Sequence, residues 1–134
     1  MYLNLLNNEQ KDLFLDVLLT LAHIDEDYSQ KEKEVIIGYC NEMNISDVRD
    51  FSLNSFNETI DRLSEISNDT EKKIMILEAM GLAMADGNFD QHEKKLIKLI
   101  SLCFCIDDSF MPECEDLLKN FISYQNKITK LVFK

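Results

Sequence analysis

Ala83-Met84-Ala85-Asp86-Gly87-Asn88-Phe89-Asp90-Gln91-His92-Glu93 lies between two apolar, helix-patterned runs and sets three carboxylates within eight residues. Gly87 suits a helix end, because glycine enters the left-handed conformation without steric cost. Asp90-x-x-Glu93 has the pattern of a capping box that opens the next helix, and Phe89 between them can plug a core. The stretch therefore reads as a helix–loop–helix joint. Counted back from Glu93, it also looks like the last half of an EF-hand, with Asp86, Gly87, Phe89, Asp90 and Glu93 at the fifth, sixth, eighth, ninth and twelfth positions. The first and third positions would be Leu82 and Met84, which cannot bind a hard cation, so the EF-hand cage is excluded.

An earlier stretch, Ala22-His23-Ile24-Asp25-Glu26-Asp27-Tyr28-Ser29-Gln30-Lys31-Glu32, repeats the pattern. A shift of 61 residues carries Asp25 onto Asp86, Leu21 onto Leu82, Glu32 onto Glu93, Lys33 onto Lys94 and Ile36 onto Ile97. The same shift carries Tyr28 onto Phe89, Ile45 onto Ile106 and Asp47 onto Asp108. Agreement without gaps over two helices implies a duplicated helical hairpin, with repeats over about 9–57 and 70–118.

Working outward, Asn7 and Gln10 form a capping box for a helix over Glu9–His23, with Leu13, Phe14, Val17, Leu18 and Leu21 inward. Ser29-x-x-Glu32 opens a second helix that Asn44 can end. Ser46 caps a short third through about Phe51, and Ser55 opens a fourth with Phe56, Ile60, Leu63 and Ile66 inward. The polar connection Ser67–Thr70 marks the midpoint. The next helix starts near Thr70 with Asp69 as cap, and Glu78 is its only charge between Ile74 and Ala85, so it is nearly enclosed. Leu96, Ile97, Leu99, Ile100, Cys103 and Phe104 face inward on the sixth. The seventh is capped by 106–109, holds Pro112 in its first turn, and continues the apolar face with Leu117, Leu118, Phe121, Ile122 and Tyr124. The expected fold is all-α: one domain, 1–134, a compact bundle of about seven helices built from two duplicated hairpins.

Three glycines and one proline in 134 residues fit long helices with short connections. A net charge of −11 repels phosphate backbones and anionic headgroups, which argues against nucleic acid and membrane surfaces. It suits divalent cations or a basic protein partner. No apolar run approaches the ~20 residues of a membrane span, and the N-terminus lacks a secretory signal pattern, so a cytoplasmic location is expected. Cys40, Cys103, Cys105 and Cys114 form no Cys-x-x-Cys pair and read as buried free thiols.

Capping explains Asp90 and Glu93. It does not explain Asp86 or its counterpart Asp25, since a carboxylate at a helix C-terminus is disfavoured by ~0.3–1 kcal/mol. Solvent exposure or a bound cation would compensate. For a cation, Asp86 and Asp90 with the Asn88 carbonyl are the natural ligands in the second joint, completed by Glu93 and water; in the first joint capping leads, since Ser29 is a good cap and a poor ligand. Oxygen ligands suit Ca²⁺, Mg²⁺ or Mn²⁺, and Zn²⁺ less well. His92 and His23 read as helix-end polar residues.

Ala83-x-Ala85-Asp86-Gly87-x-Phe89-x-x-x-Glu93, set in a duplicated helical chain of this size, resembles the TerB-like tellurite-resistance family. A related domain of a membrane-anchored DnaJ-type co-chaperone shares the pattern. The resemblance covers about Glu9 to Leu118. It implies a helical bundle that brings acidic residues of both repeats together, with a role in divalent-cation binding linked to metal or stress response. Carried over, it points to Asp86, Asp90 and Glu93, and to Asp25 and Glu32. The first repeat departs from the pattern, with Glu26 in place of the glycine and Ser29 in place of Asp90. No nucleophile–base pair or Gly-rich phosphate loop occurs, so the expectation is a non-enzymatic module. The alternative is a metal-independent protein-interaction module using its acidic surface or an apolar groove.

Overall fold

Reciprocal side-chain caps start the two helices that form the centre of the protein. Asn7 accepts from the Gln10 amide at 2.8 Å while Gln10 Oε1 accepts from the Asn7 amide at 2.8 Å. Asn68 and Glu71 repeat the exchange at 2.8 and 2.9 Å. Each box satisfies amides that a helix start leaves without intrahelical partners. The cap of the second of these helices is thus Asn68 rather than Asp69, and the polar connection at the midpoint shrinks to Ser67 and Asn68.

The computed structural model describes residues 1–24, 30–45, 56–85 and 89–134. A 3₁₀ turn at Leu3–Leu5 precedes α1 (Asn8–His23), α2 (Gln30–Glu42), α3 (Phe56–Ile66), α4 (Asp69–Ala83), α5 (Gln91–Cys103) and α6 (Phe110–Val132). The short helix expected from Ser46 to about Phe51 lies outside the described residues. Among the described residues there are six α-helices and no strands. None of these helices is long and apolar enough to cross a membrane.

The bounds of α4 and α5 are those of α1 and α2 moved by 61 residues, to within one residue at one end. Helix ends match as well. Asn44 and Cys105 adopt φ 61° and 57°, and the amides that follow them bond back five residues, Ile45 to Cys40 at 2.8 Å and Ile106 to Ser101 at 3.1 Å. These are left-handed caps of the Schellman kind. Asn44 was legible as such a cap. Cys105 was not, because cysteine has no preference for that conformation.

α1 packs against α3, α4 and α2, and α4 packs in addition against α5 and α6. Phe14, Leu15, Val17, Leu18 and Leu21 of α1 and Met75, Ile76, Ala79, Met80 and Leu82 of α4 are buried in one hydrophobic core. Each large side chain withdrawn from water contributes about 1.5–3 kcal/mol before entropy is counted. Pro112 stands in the first turn of α6, as its missing amide requires. Two expected inward faces are narrower than the periodicity suggests. On α5, Leu99 and Cys103 are exposed while Ile97, Ile100 and Phe104 are buried. On α6, Leu118 and Cys114 are buried and Ile122 half-buried, whereas Leu117, Phe121 and Tyr124 face out. Of the four free thiols only Cys40 and Cys114 are therefore buried; Cys103 and Cys105 are exposed.

Glu78 is the exception within the apolar run of α4, and it is only 3% exposed. Its carboxylate is 2.6 Å from the Met1 ammonium and accepts from the Tyr2 amide at 3.2 Å, which offsets the cost of withdrawing a charge from water. On the same turn the Tyr39 hydroxyl of α2 donates to the Glu78 carbonyl at 2.9 Å. Burial, reinforced by the nearby Glu78 and Glu42 carboxylates, raises the Tyr39 phenol above its ordinary value, so it remains a donor. That hydroxyl sits where residue 81 has no side chain: a Cβ on Gly81 would lie 2.9 Å from it. A mid-helix Gly→Ala change ordinarily gains about 0.8–1 kcal/mol. Here Gly81→Ala is expected to destabilise by about 1–3 kcal/mol through overpacking. In a Tyr39→Phe background the same change should become neutral or stabilising. Chemical denaturation of the four proteins of this cycle measures the coupling, and additive effects would refute the contact.

Candidate functional site

The joint between α4 and α5 begins where the buried run stops. α4 ends at Ala83, and the Met84 and Ala85 amides close its last turn on Met80 and Leu82. Asp86 lies outside the described residues, as does Asp25 in the earlier joint. From Phe89 onward the chain is described again. Phe89 is half-buried against the core, as a plug at this place should be. Asp90 is the N-cap of α5, and its Oδ1 accepts from the His92 amide at 2.8 Å and the Glu93 amide at 3.3 Å. His92 is exposed, with Nδ1 3.3 Å from the same oxygen. His23, at the end of α1, bonds through Nδ1 to the Leu19 carbonyl at 2.7 Å.

Glu93 and Glu32 occupy the same place in their helices, the first turn of α5 and of α2. Both are 3% exposed, an unusual burial for glutamate. The candidate ligands thus divide. Asp90 serves as a cap on the surface, Glu93 and Glu32 are buried, and Asp86 and Asp25 are outside the described residues. Among the described residues, no three His, Cys, Asp or Glu side chains gather as a metal group.

Hydrogen bonds from the His92 and then the Glu93 amide hold the Asp90 carboxyl below its ordinary value of 3.8. A depressed folded-state pKa contributes stability that is complete above the unfolded value and is lost as the pH falls through the folded one. Asp90→Ala should therefore lower the melting temperature near neutrality, and the gap to wild type should narrow as the pH drops below about 4. Asp90→Asn, an uncharged cap of similar quality, should lie near wild type at neutral pH. Thermal unfolding across this range is the measurement, and a constant gap would count against the capping role.

A second feature lies on α6. Its inward row, Cys114, Leu118 and Ile122, steps by four residues and packs on the bundle. Beyond Ile122 every residue is exposed. The ten residues Ser123–Val132 add about 15 Å of helix clear of the core. Along this helix runs a second apolar row, Leu117, Phe121, Tyr124, Ile128 and Leu131, exposed by 68, 46, 63, 61 and 76%. Their separations alternate four and three, the 3.5-residue period of a helix seam that meets another helix. The helix is also divided in charge. Glu113, Glu115 and Asp116 lie in its first part, and no acidic residue follows Asp116, whereas Lys119, Lys127 and Lys130 do, with Lys134 just past the helix end. Glu115 is held by Lys94 of α5 at 3.1 Å and by Lys119 at 3.4 Å, which lowers its carboxyl below the ordinary value. Lys127 lies over the Tyr124 ring at 5.5 Å.

Between this helix, α2 and α4 is a groove of about 660 Å³, bordered by Val35, Tyr39, Leu77, Leu118 and Phe121. Periodicity alone places Leu117, Phe121 and Tyr124 on one apolar face with Leu118 and Ile122. The signal it missed was the second row: core residues step by four from Cys114, and the seam alternates four and three from Leu117. Compared with family models, curated proteins and solved structures, the chain matches none.

Proposed function

We propose that this protein is a non-enzymatic helical module that binds another protein helix through the apolar row of α6. The observation that carries the reading is the run Leu117, Phe121, Tyr124, Ile128 and Leu131, five large side chains at seam spacing with their faces in water. A patch of this kind marks an interaction surface rather than a solvated one. Spacing at 3.5 residues fits an amphipathic helix, and the lysines beside it favour acidic flanks on that helix. Equal helix bounds and equal caps at a shift of 61 residues support a duplicated hairpin as the scaffold, in keeping with the TerB-like resemblance. A photo-crosslinker placed at Tyr124 in the native host should give discrete adducts that map to an amphipathic helix, and Leu117→Ser with Ile128→Ser should abolish them. Absence of any adduct from the seam would reject the reading.

A second reading is favoured by the matched burial of Glu32 and Glu93 at the starts of α2 and α5. It takes the two joints as divalent-cation sites of Asp86, Asp90 and Glu93 and of Asp25 and Glu32, in a protein tied to metal or stress response. Titration calorimetry with Ca²⁺, Mn²⁺ and Zn²⁺ should then give heat that Asp86→Ala removes, and heat-free titrations with all three would end it.

A further inference from the structure

We infer that the helix received by the α6 seam is α6 of a second copy, running antiparallel. This rests on the seam being a binding surface, as proposed above. What singles out a second copy is charge. The first part of α6 carries exposed Glu113 and Asp116, and its last part carries only lysines. Two copies side by side in the same direction would place Lys127, Lys130 and Lys134 against their own duplicates. Turned head to tail, each basic end lies along the acidic start of the other, so attraction replaces repulsion at both ends.

The register follows from the row itself. In an antiparallel seam the two kinds of row position alternate across the interface. Phe121 then faces Tyr124 of the second copy and Leu117 faces Ile128, with Glu113 near Lys134, which follows the last turn of the second copy's helix. Two-fold symmetry makes every one of these contacts occur twice. Five side chains on each copy, each losing on the order of 100 Å² of exposed surface, give about 1,000 Å² for the pair, the lower bound for a specific dimer. An anionic bilayer is the other surface that would receive a basic apolar helix. The net charge of −11 on the whole chain opposes that approach; it also acts between two copies, where the complementary ends of the paired helices offset it locally.

Sedimentation of the full chain at concentrations up to about 100 μM tests the pairing. Wild type should sediment as a dimer. Leu117→Ser with Ile128→Ser should sediment as a monomer with unchanged circular dichroism, because both side chains are exposed and outside the core. Glu113→Lys should weaken the dimer about fivefold, and combining it with Lys134→Glu should restore it, since the reversed pair meets again only in the antiparallel register. A monomeric wild type, a dimer indifferent to the seam variants, or failure of the charge exchange to rescue would each overturn the inference. Capture of a monomeric chain by phosphatidylserine vesicles would also overturn it. If the wild type is monomeric and Tyr124 still cross-links to a different protein, self-pairing fails and the seam stands as a binding surface. If neither self-association nor cross-linking occurs, both readings fail.

Discussion

Between Ile74 and Met84, α4 has almost no face in water, and the rest of the bundle is arranged to cover it. Only Leu77 and Gly81 are partly exposed in this run. A helix that is apolar around its circumference must be surrounded, and α1, α2, α5 and α6 do so from different sides. The requirement also dictates local chemistry. Glu78 is accommodated there because an ammonium and a backbone amide meet its carboxylate, and Gly81 provides the space in which the Tyr39 hydroxyl reaches the α4 backbone. One side of α4 is thus closed by hydrogen bonds and the other sides by packing.

The polar ends of the central helices follow one plan. Capping boxes stand at Asn7 and Asn68, left-handed ends at Asn44 and Cys105, and buried glutamates at 32 and 93, each pair separated by 61 residues. Residue identity varies within these pairs while the geometry holds. Gln10 is replaced by Glu71 and Asn44 by Cys105, because a cap needs an acceptor at the right place and a left-handed residue needs only tolerance of positive φ. The arrangement is what the proposed duplication accounts for. The acidic residues that make good caps are also of the type that bind hard cations.

α6 obeys two periods at once. Its first half is bound to the bundle by Cys114, Leu118 and Ile122, and Glu115 ties it to α5 through Lys94. The seam rotates slowly relative to that row, so past Ile122 the helix leaves the core with an apolar face still turned outward. Such a face is costly in water unless something covers it. The division of charge along the helix gives that covering a direction.

The sequence by itself determined the all-helical class, the positions of six helices, the cap at Asn7, the end at Asn44, the placement of Pro112 and the enclosure of α4. These depend on local rules, the spacing of apolar residues and the chemistry of helix ends, which a chain carries in its order. Which apolar residues lie inside was decided only by the tertiary structure. Leu99, Cys103, Leu117, Phe121 and Tyr124 are as apolar as their neighbours, and periodicity cannot say which side of a helix finds a partner. The choice of Asn68 over Asp69 as cap, and the left-handed turn at Cys105, likewise depend on where the packed helices begin and end. The candidate site divides in the same way. Asp90 was legible as a cap, while the burial of Glu93 and Glu32 and the exposed seam of α6 are consequences of how far α2, α4 and α5 extend to cover their neighbours.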